Sequence, residues 1–104
     1  MSIKIKSKSG KVLLVVEKAN LHEANLSGAN LSGANFYEAN LYEANLYEAN
    51  LSEANLYEAN LSEANLSEAN LSGVDFYRAN LCRVKIKSTQ KDEILRSIGI
   101  QIND

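Results

Sequence analysis

The sequence predicts an all-β solenoid, a chain wound into stacked coils that bends once every five residues. The first observation is a repeat, because thirteen pentads follow one another without a gap from Ala19 to Arg83. The second is that this period fits neither regular element. Steps of five residues turn about 140° in an α-helix and scatter the leucines around its axis, and in a flat strand they send successive leucines to opposite faces. Every Ala and every Leu or Phe returns to the interior only if the chain bends once per pentad.

The repeat has the form A(N/D)LXX, with Leu or Phe at the third place of every pentad. This run resembles the pentapeptide-repeat proteins over about residues 14–88, because 14–18 and 84–88 keep apolar residues at the first and third places. The resemblance implies a right-handed quadrilateral β-helix with four pentads per coil, the first and third places inward and the others outward. Residues 19–83 would then make a little over three coils, roughly 16 Å long at the spacing of β-strands.

Residues 1–18 are predicted to form an amino-terminal cap. Apolar and charged residues alternate from Ile3 to Lys6, Ser7 to Gly10 is typical of a turn, and Val12 to Val16 is rich in β-branched residues. We therefore expect a β-hairpin or a β cap over about residues 2–17. An open sheet edge invites pairing with another chain, and the lysines of this segment would discourage it.

Within the pentapeptide-repeat solenoid, residues 19–88, each place has its own predicted role. The thirteen Leu or Phe side chains would supply most of the favourable free energy, at about 1.5 to 3 kcal/mol each when buried. The second-place Asn, replaced only by Asp75, is expected to form Asx turns and to bond along a stack of amides. Gly28, Gly33 and Gly73 stand at the fifth place, where a type II corner needs a positive φ. We expect type II corners there and leave the glutamate corners open.

Residues 89–104 are predicted to form a carboxyl-terminal helical cap and a tail. Thr89, followed three residues later by Asp92, resembles a capping box, and Gly99 is a helix stop. Between them runs an apolar stripe of Ile94, Leu95 and Ile98. We therefore expect a short helix over about 90–98 that covers the last coil.

Charge is distributed unevenly along the chain, although the net value is only −2. Residues 19–83 hold nine acids against two arginines, a net of −7, whereas 1–18 carry five lysines against one acid, a net of +4. The remaining residues, 84–104, add +1. An acidic rod repels phosphate groups, so direct binding of nucleic acid is not expected.

The single cysteine and the short apolar runs indicate in which cellular compartment the protein is expected. Cys82 has no second cysteine to pair with, so no internal disulfide can form and nothing indicates a secreted, cross-linked domain. The run from Val12 to Val16 is too short for a signal peptide and lacks a cleavage site. No segment approaches the roughly 20 apolar residues of a membrane span. We expect a soluble protein of the cytoplasm that binds no membrane.

With four pentads per coil, residues twenty apart lie on top of one another, and the outward side chains form columns. One fourth-place column consists of Tyr37, Tyr57 and Tyr77. Aromatic pairs on neighbouring strands stabilise a sheet by up to about 1 kcal/mol each, which is the simplest interpretation of this column. The alternative is a contact strip for a partner.

Glutamates form further columns at the fifth place. One contains Glu23, Glu43 and Glu63, and the next contains Glu48 and Glu68. Carboxylates about 5 Å apart would match a retaining glycosidase pair, but these lie on a convex side with no cleft, so catalysis is not expected. A solvated face is the simplest interpretation, and weak cation binding or imitation of a phosphate backbone are the alternatives.

No other group of residues predicts a catalytic, cofactor or metal site. His22 and Cys82 share a column but lie three coils apart, roughly 14 Å, whereas zinc ligands lie about 2 Å from the ion. His22 alone is interpreted as an ordinary surface residue. The serines have no His and carboxylate to activate them, and the sequence has neither a glycine-rich phosphate loop nor a CxxC motif. We expect neither an enzyme nor a bound cofactor or metal.

Three functions remain. The first is a non-enzymatic structural or protein-interaction module that presents Tyr, Ser and Glu columns on a rigid rod to an unidentified protein partner. The second is implied by the resemblance, since some longer pentapeptide-repeat proteins imitate B-form DNA and protect DNA gyrase from quinolones. The third is a stable spacer. The tail from Ile100 to Ile102 alternates like a strand, and a homodimer through this carboxyl-terminal region would lengthen the rod.

Overall fold

The computed structural model describes residues 2–17 and 20–97 of the 104-residue chain. Its regular elements are β1, Ile3–Lys6; β2, Val12–Val16; a 3-10 helix, Ser88–Gln90; and α1, Lys91–Ser97. The coils of the solenoid lie between β2 and the 3-10 helix. The predicted helix stop at Gly99 and the tail from Ile100 to Ile102 lie outside the described residues. In the described part of the chain, no helix has the length and apolar character needed to cross a membrane.

Residues twenty apart pair in parallel throughout the solenoid, so one coil contains four pentads. The second-place residues carry this pairing, as Asn25 bridges Asn45 and Asn45 bridges Asn65. Asn45 donates its backbone N–H to the carbonyl of Ala24 at 2.9 Å, and its own carbonyl accepts from Leu26 at 2.8 Å. The same pattern recurs on the other three sides. Each coil is therefore tied to the next by hydrogen bonds along the axis.

The first and third places of the pentads point inward, which confirms the prediction. The third-place leucines of the middle coils expose none of their surface; they are Leu41, Leu46, Leu51, Leu56 and Leu61. The first-place alanines belong to the same core cluster or pack against it. Burial is less complete toward the carboxyl-terminal end, where Leu81, Val84 and Ile86 are only half-buried.

Each corner of the solenoid has the hydrogen bond and the φ angle of a type II turn. The first-place N–H donates to the third-place carbonyl of the preceding pentad, as in the 3.0 Å bond from Ala24 to Leu21. The fifth-place residue between them has a positive φ, which is 70° at Gly28 and 60° at Glu23. The expectation for the glycines is met, and the glutamate corners share the same geometry. A non-glycine residue in this conformation costs roughly 1 to 2 kcal/mol, which the packing of the coils offsets.

The second-place side chains form the predicted Asx turns. The side-chain oxygen of Asn55 accepts the backbone N–H of Tyr57 at 3.0 Å, and Asp75 accepts from Tyr77 at 2.9 Å. A bond along the stack also forms, because Asn55 donates to the amide oxygen of Asn35 at 3.4 Å. These bonds fix the backbone of the fourth-place residues, whose side chains line the outer faces.

The predicted amino-terminal hairpin is present and covers the first coil. β1 and β2 pair antiparallel with Ile5 opposite Leu14, and Gly10 has a φ of 95° in the turn between them. An antiparallel bridge between Ser7 and Ala34 joins the hairpin to the solenoid. Ile5 is buried in the common core, so the hairpin closes the amino-terminal end of the hydrophobic interior.

The carboxyl-terminal helical segment begins earlier than predicted. The chain enters a 3-10 helix at Ser88, and the side-chain oxygen of Gln90 accepts the backbone N–H of Lys87 at 2.8 Å. The predicted capping box of Thr89 and Asp92 is therefore wrong. The residue before the helical segment is Lys87, and the side chain that reaches back to it is an amide three positions later.

Gln90 also attaches the cap to the solenoid. Its side chain is buried, and its amide nitrogen donates to the carbonyls of Leu66 and Ala69 at 2.7 and 3.1 Å. Ile94 of α1 is buried in the same core cluster. The cap thus satisfies the carbonyl of Ala69, adds a second hydrogen bond to the carbonyl of Leu66, which also accepts the N–H of Ala69, and buries one apolar side chain.

Candidate interaction surface

Three tyrosines form a stacked ladder on one side of the solenoid. The ring centroids of Tyr37 and Tyr57 lie 5.7 Å apart with an interplanar angle of 18°, and those of Tyr57 and Tyr77 lie 5.8 Å apart at 19°. Tyr37 and Tyr77 are 49% and 52% exposed. The column proposed from the sequence is therefore a row of aligned rings with much of its surface in solvent.

Charged residues border the tyrosine ladder at the adjacent corner. Glu38 and Glu58 occupy successive coils there, and Glu58 lies 3.6 Å from Arg78 in an ion pair. The negative charge of Glu38, followed by burial and the charge of Glu58, raises the pKa of Tyr37. The phenol of Tyr37 is therefore neutral at physiological pH and can donate a hydrogen bond.

Serines occupy the face on the other side of the ladder. The hydroxyls of Ser32 and Ser52 lie 2.9 Å apart, and Ser32 also donates to the backbone carbonyl of Ser52 at 3.3 Å. The corner between these serines and the tyrosines holds Gly33 and Gly73 on either side of Glu53. The small serine and glycine side chains thus lie beside the large tyrosine rings. The tyrosine ladder therefore stands out as a ridge next to the lower, polar serine face.

The candidate glutamates lie at two neighbouring corners and are all exposed: Glu23, Glu43 and Glu63 at one, Glu48 and Glu68 at the next. The first column ends in a cation, Arg83, and the second lies beside a cation, because Lys87 occupies the neighbouring fourth-place column in the last coil. Lys87 forms an ion pair with Glu68, and this interaction raises the pKa of the lysine. The acidic surface is therefore interrupted before the carboxyl-terminal end.

The first glutamate corner adjoins a stacked histidine and tyrosine of the neighbouring fourth-place column. The His22 imidazole stacks on Tyr42, with ring centroids 5.0 Å apart and an interplanar angle of 14°. The Tyr42 hydroxyl donates to a carboxylate oxygen of Glu63 at 3.0 Å. This hydrogen bond, followed by the charge of Glu43, raises the pKa of Tyr42 to about 12. The twenty-residue period could have shown the stack, because it places His22 directly over Tyr42.

A set of possible metal ligands lies at the same corner. One donor atom from each of His22, Glu23 and Glu43 lies within 4.8 Å of the other two. Cys82, which shares the column of His22, is exposed in the last coil and lies far from this corner. The set is not evident from a single column of the sequence, because the two glutamates are fifth-place residues of the neighbouring column.

An open groove of about 550 Å³ lies between the last coil and α1. Apolar Leu71 and Val74 line one side, and charged residues of α1 line the other. None of the lining residues belongs to the tyrosine ladder or the candidate glutamates. The groove is thus a separate feature of the carboxyl-terminal end.

Comparison with known proteins identifies the family of the chain and solved structures that are similar to it. The chain matches the family model of pentapeptide repeats in eight copies, over residues 19–56 and 49–87. A pentapeptide-repeat protein from the thylakoid lumen of Arabidopsis thaliana is 37% identical with a TM-score of 0.64, over 65% of this chain and 47% of that one. HetL, a pentapeptide-repeat protein involved in heterocyst differentiation regulation in the cyanobacterium Nostoc sp. strain PCC 7120, is 42% identical with a TM-score of 0.50, over 62% of this chain and 28% of that one.

The present chain therefore covers less than half the length of both structures. These similarities confirm the predicted right-handed quadrilateral β-helix of pentapeptide repeats. A plasmid-mediated fluoroquinolone resistance protein is also similar, at 23% identity and a TM-score of 0.35, over 72% of this chain and 45% of that one. A likeness this low carries no argument about function. No curated protein matches closely enough to count as a relative.

Proposed function

The chain belongs to the pentapeptide-repeat family, and from that premise we propose that it is a non-enzymatic protein-interaction module whose partner binds the tyrosine ladder. The observation that carries the proposal is the exposure of the aligned rings, which is about half for Tyr37 and Tyr77. Aromatic residues are enriched in protein interfaces and among the residues that dominate binding energy. The tyrosine ladder is therefore the part of this rod best suited to contact another protein.

Pre-ordering of the ladder supports the proposal. The backbone of Tyr57 is fixed by the Asx turn of Asn55 at 3.0 Å, and its ring is stacked on both sides. Association ordinarily costs about 0.5 to 1.5 kcal/mol for each flexible side chain that becomes ordered. Because these rings are already ordered, a partner would meet less of that cost.

The residues around the ladder favour a partner segment with basic and aromatic or aliphatic side chains. Glu38 borders the rings at the corner where Glu58 is already paired with Arg78, and a carboxylate such as that of Glu38 pairs well with lysine or arginine. Arginine also packs on aromatic rings. The lower serine face leaves room beside the ridge. We infer that the partner presents an extended basic segment along the axis of the rod.

The test compares a triple substitution with a matched one on the next face. Tyr37→Ser, Tyr57→Ser and Tyr77→Ser together should keep the β-helical circular dichroism spectrum while abolishing most captured partners in a cross-linking experiment on cell extract. The control combines Ser32→Ala, Ser52→Ala and Ser72→Ala and should capture the same partners as the parent. If the tyrosine variant captures the same proteins as the parent in the same amounts, the ladder is not the binding surface.

DNA mimicry is an alternative outcome and not our proposal. The glutamate columns are short, the first ends at Arg83, and Glu68 of the second is paired with Lys87. A gyrase supercoiling assay, with and without a quinolone, separates the two functions. Inhibition or protection that survives the triple tyrosine substitution would assign the function to the glutamate columns and overturn the ladder proposal.

Location and assembly stay predictions. We propose the cytoplasm as the compartment, although the Arabidopsis relative belongs to the thylakoid lumen. A homodimer through the carboxyl-terminal region is the proposed assembly, and light scattering over a range of concentrations tests it. A mass that stays monomeric at high concentration would remove the dimer.

A further inference from the structure

We propose that His22, Glu23 and Glu43 bind a divalent transition-metal ion, with Zn²⁺ the best-matched probe. Their donor atoms lie within 4.8 Å of one another. The site would be formed by two successive coils, because Glu43 lies one coil beyond Glu23. It is independent of the tyrosine ladder, and its failure would leave the proposed protein-binding function unchanged.

The backbone holds the two carboxylates in register. Glu23 and Glu43 occupy the same corner with φ angles of 60° and 58°. The N–H of Glu23 donates to the carbonyl of Tyr42 at 2.8 Å, which ties the two corners together. Their side chains therefore leave the rod in the same direction, about one coil spacing apart, and a shared ion would relieve the repulsion between them.

The imidazole is oriented toward the carboxylates. The ring of His22 stacks on Tyr42 at a centroid distance of 5.0 Å, and Tyr42 is itself hydrogen-bonded to Glu63. His22 Nε2 lies 3.4 Å from Glu23 Oε1. A metal ion would replace this direct contact and bind between the nitrogen and the oxygen. Tyr42 acts here as a positioning residue.

The histidine distinguishes this corner from an ordinary acidic surface. The chain has only one histidine, so the other glutamate corners offer oxygen donors alone. Ca²⁺ and Mg²⁺ prefer oxygen ligands, whereas a nitrogen donor favours Zn²⁺, Co²⁺ and Ni²⁺. One imidazole and two carboxylates with open positions for water match an exposed transition-metal site.

The distances need only small side-chain movements. Bonds of about 2.0 to 2.2 Å in a tetrahedral zinc site place the ligand atoms roughly 3.3 Å apart. The three donors must therefore approach by about 1.5 Å or less from their present maximum of 4.8 Å. The side chains of His22 and Glu23 are 38% and 59% exposed, so the solvent side of each leaves room for such a movement. The bound ion would link the first coil to the second.

The experiment follows the single histidine on addition of ZnCl₂ to the 104-residue chain. In a ¹H–¹⁵N spectrum of the imidazole, the His22 signals should shift with saturation, and the melting temperature should rise because the ion binds only the folded state. Cys82→Ser, which removes the exposed thiol, should leave both effects unchanged. Mg²⁺ at the same concentration should produce neither.

Variants locate the ligands. Loss of a ligand should weaken Zn²⁺ binding in calorimetry by at least about tenfold for His22→Gln, and by a similar factor for Glu43→Gln. Tyr42→Ser should weaken binding less than either. Glu53→Gln, at a corner without a histidine, is the matched control and should bind like the parent. Unshifted His22 signals, or binding that persists in His22→Gln or is lost in Cys82→Ser, would overturn the site.

Discussion

The middle and the last coil consist of the same kind of pentad but are not equally protected. In the middle, Leu51 and Leu56 are completely buried between coils that pair on both sides. In the last coil, Leu81 is only half-buried, and part of the cover comes from Gln90 and Ile94 of the cap. The difference teaches that a repeat protein gains its burial from neighbouring coils, so identical residues stabilise the fold by different amounts.

The largest expected effect on the free energy of unfolding comes from placing a charge at a third-place leucine, in the middle at Leu56 or in the last coil at Leu81. Leu56→Lys removes a buried side chain and leaves an unpaired ammonium inside the narrow core, so the free energy of unfolding should fall by more than about 4 kcal/mol. Leu81→Lys should cost less than half as much, because its amine can reach solvent. Urea unfolding followed by circular dichroism measures both. If Leu56→Lys unfolds at the same urea concentration as the parent, the third place does not face the core.

Removal of the cap contact should affect the last coil selectively. Gln90→Leu leaves the carbonyl of Ala69 and the N–H of Lys87 without their partner and removes one of the two hydrogen bonds to the carbonyl of Leu66, which should cost about 2 to 3 kcal/mol. Hydrogen exchange should accelerate in the last coil and much less in the middle coils. Thr89→Ala, at an exposed position of the same helical segment, is the control. Equal acceleration in all coils would show that the solenoid opens as one unit and that the ends are not weaker.

The smallest expected effect concerns a side-chain contact between the middle coils. The hydrogen bond to Glu63 raises the pKa of Tyr42 to about 12, above an ordinary value near 10. Because the folded-state pKa is the higher one, the stability from this bond is present below pH 10 and is lost as the pH rises through about 12. Absorbance at the tyrosinate band should show the late step, and Tyr42→Phe should remove it. If Glu63→Gln leaves the step in place, the hydrogen bond is not its cause.

Most of the solenoid could be predicted from the sequence because its pattern has a single geometric solution. Thirteen pentads in one frame define which residues face the core, and the twenty-residue coil then follows from the family. The glutamate corners were harder to predict. Positive φ is easy for Gly28 but costs energy for Glu48, and only the shared packing of the coils shows that the corner geometry is the same.

The ends were less predictable because they do not repeat. The sequence suggested Thr89 and Asp92 as a capping pair, yet the buried contact is made by Gln90, a polar residue whose partners lie more than twenty positions earlier. The tyrosine ladder could be deduced once the twenty-residue coil was known, because its three residues are twenty positions apart. The grouping of His22 with Glu23 and Glu43 could not be found by comparing residues within single columns, since it spans two of them.

The hydrogen bonds between coils run parallel to the axis, and this direction gives the rod a mechanical character. A force that pulls the two ends apart loads the bonds of a terminal coil first, so coils would detach one after another and not shear together. Each detached coil of four pentads would release about 70 Å of extended chain. A short rod of this kind can therefore lengthen severalfold in steps of one coil while the coils that remain keep their shape.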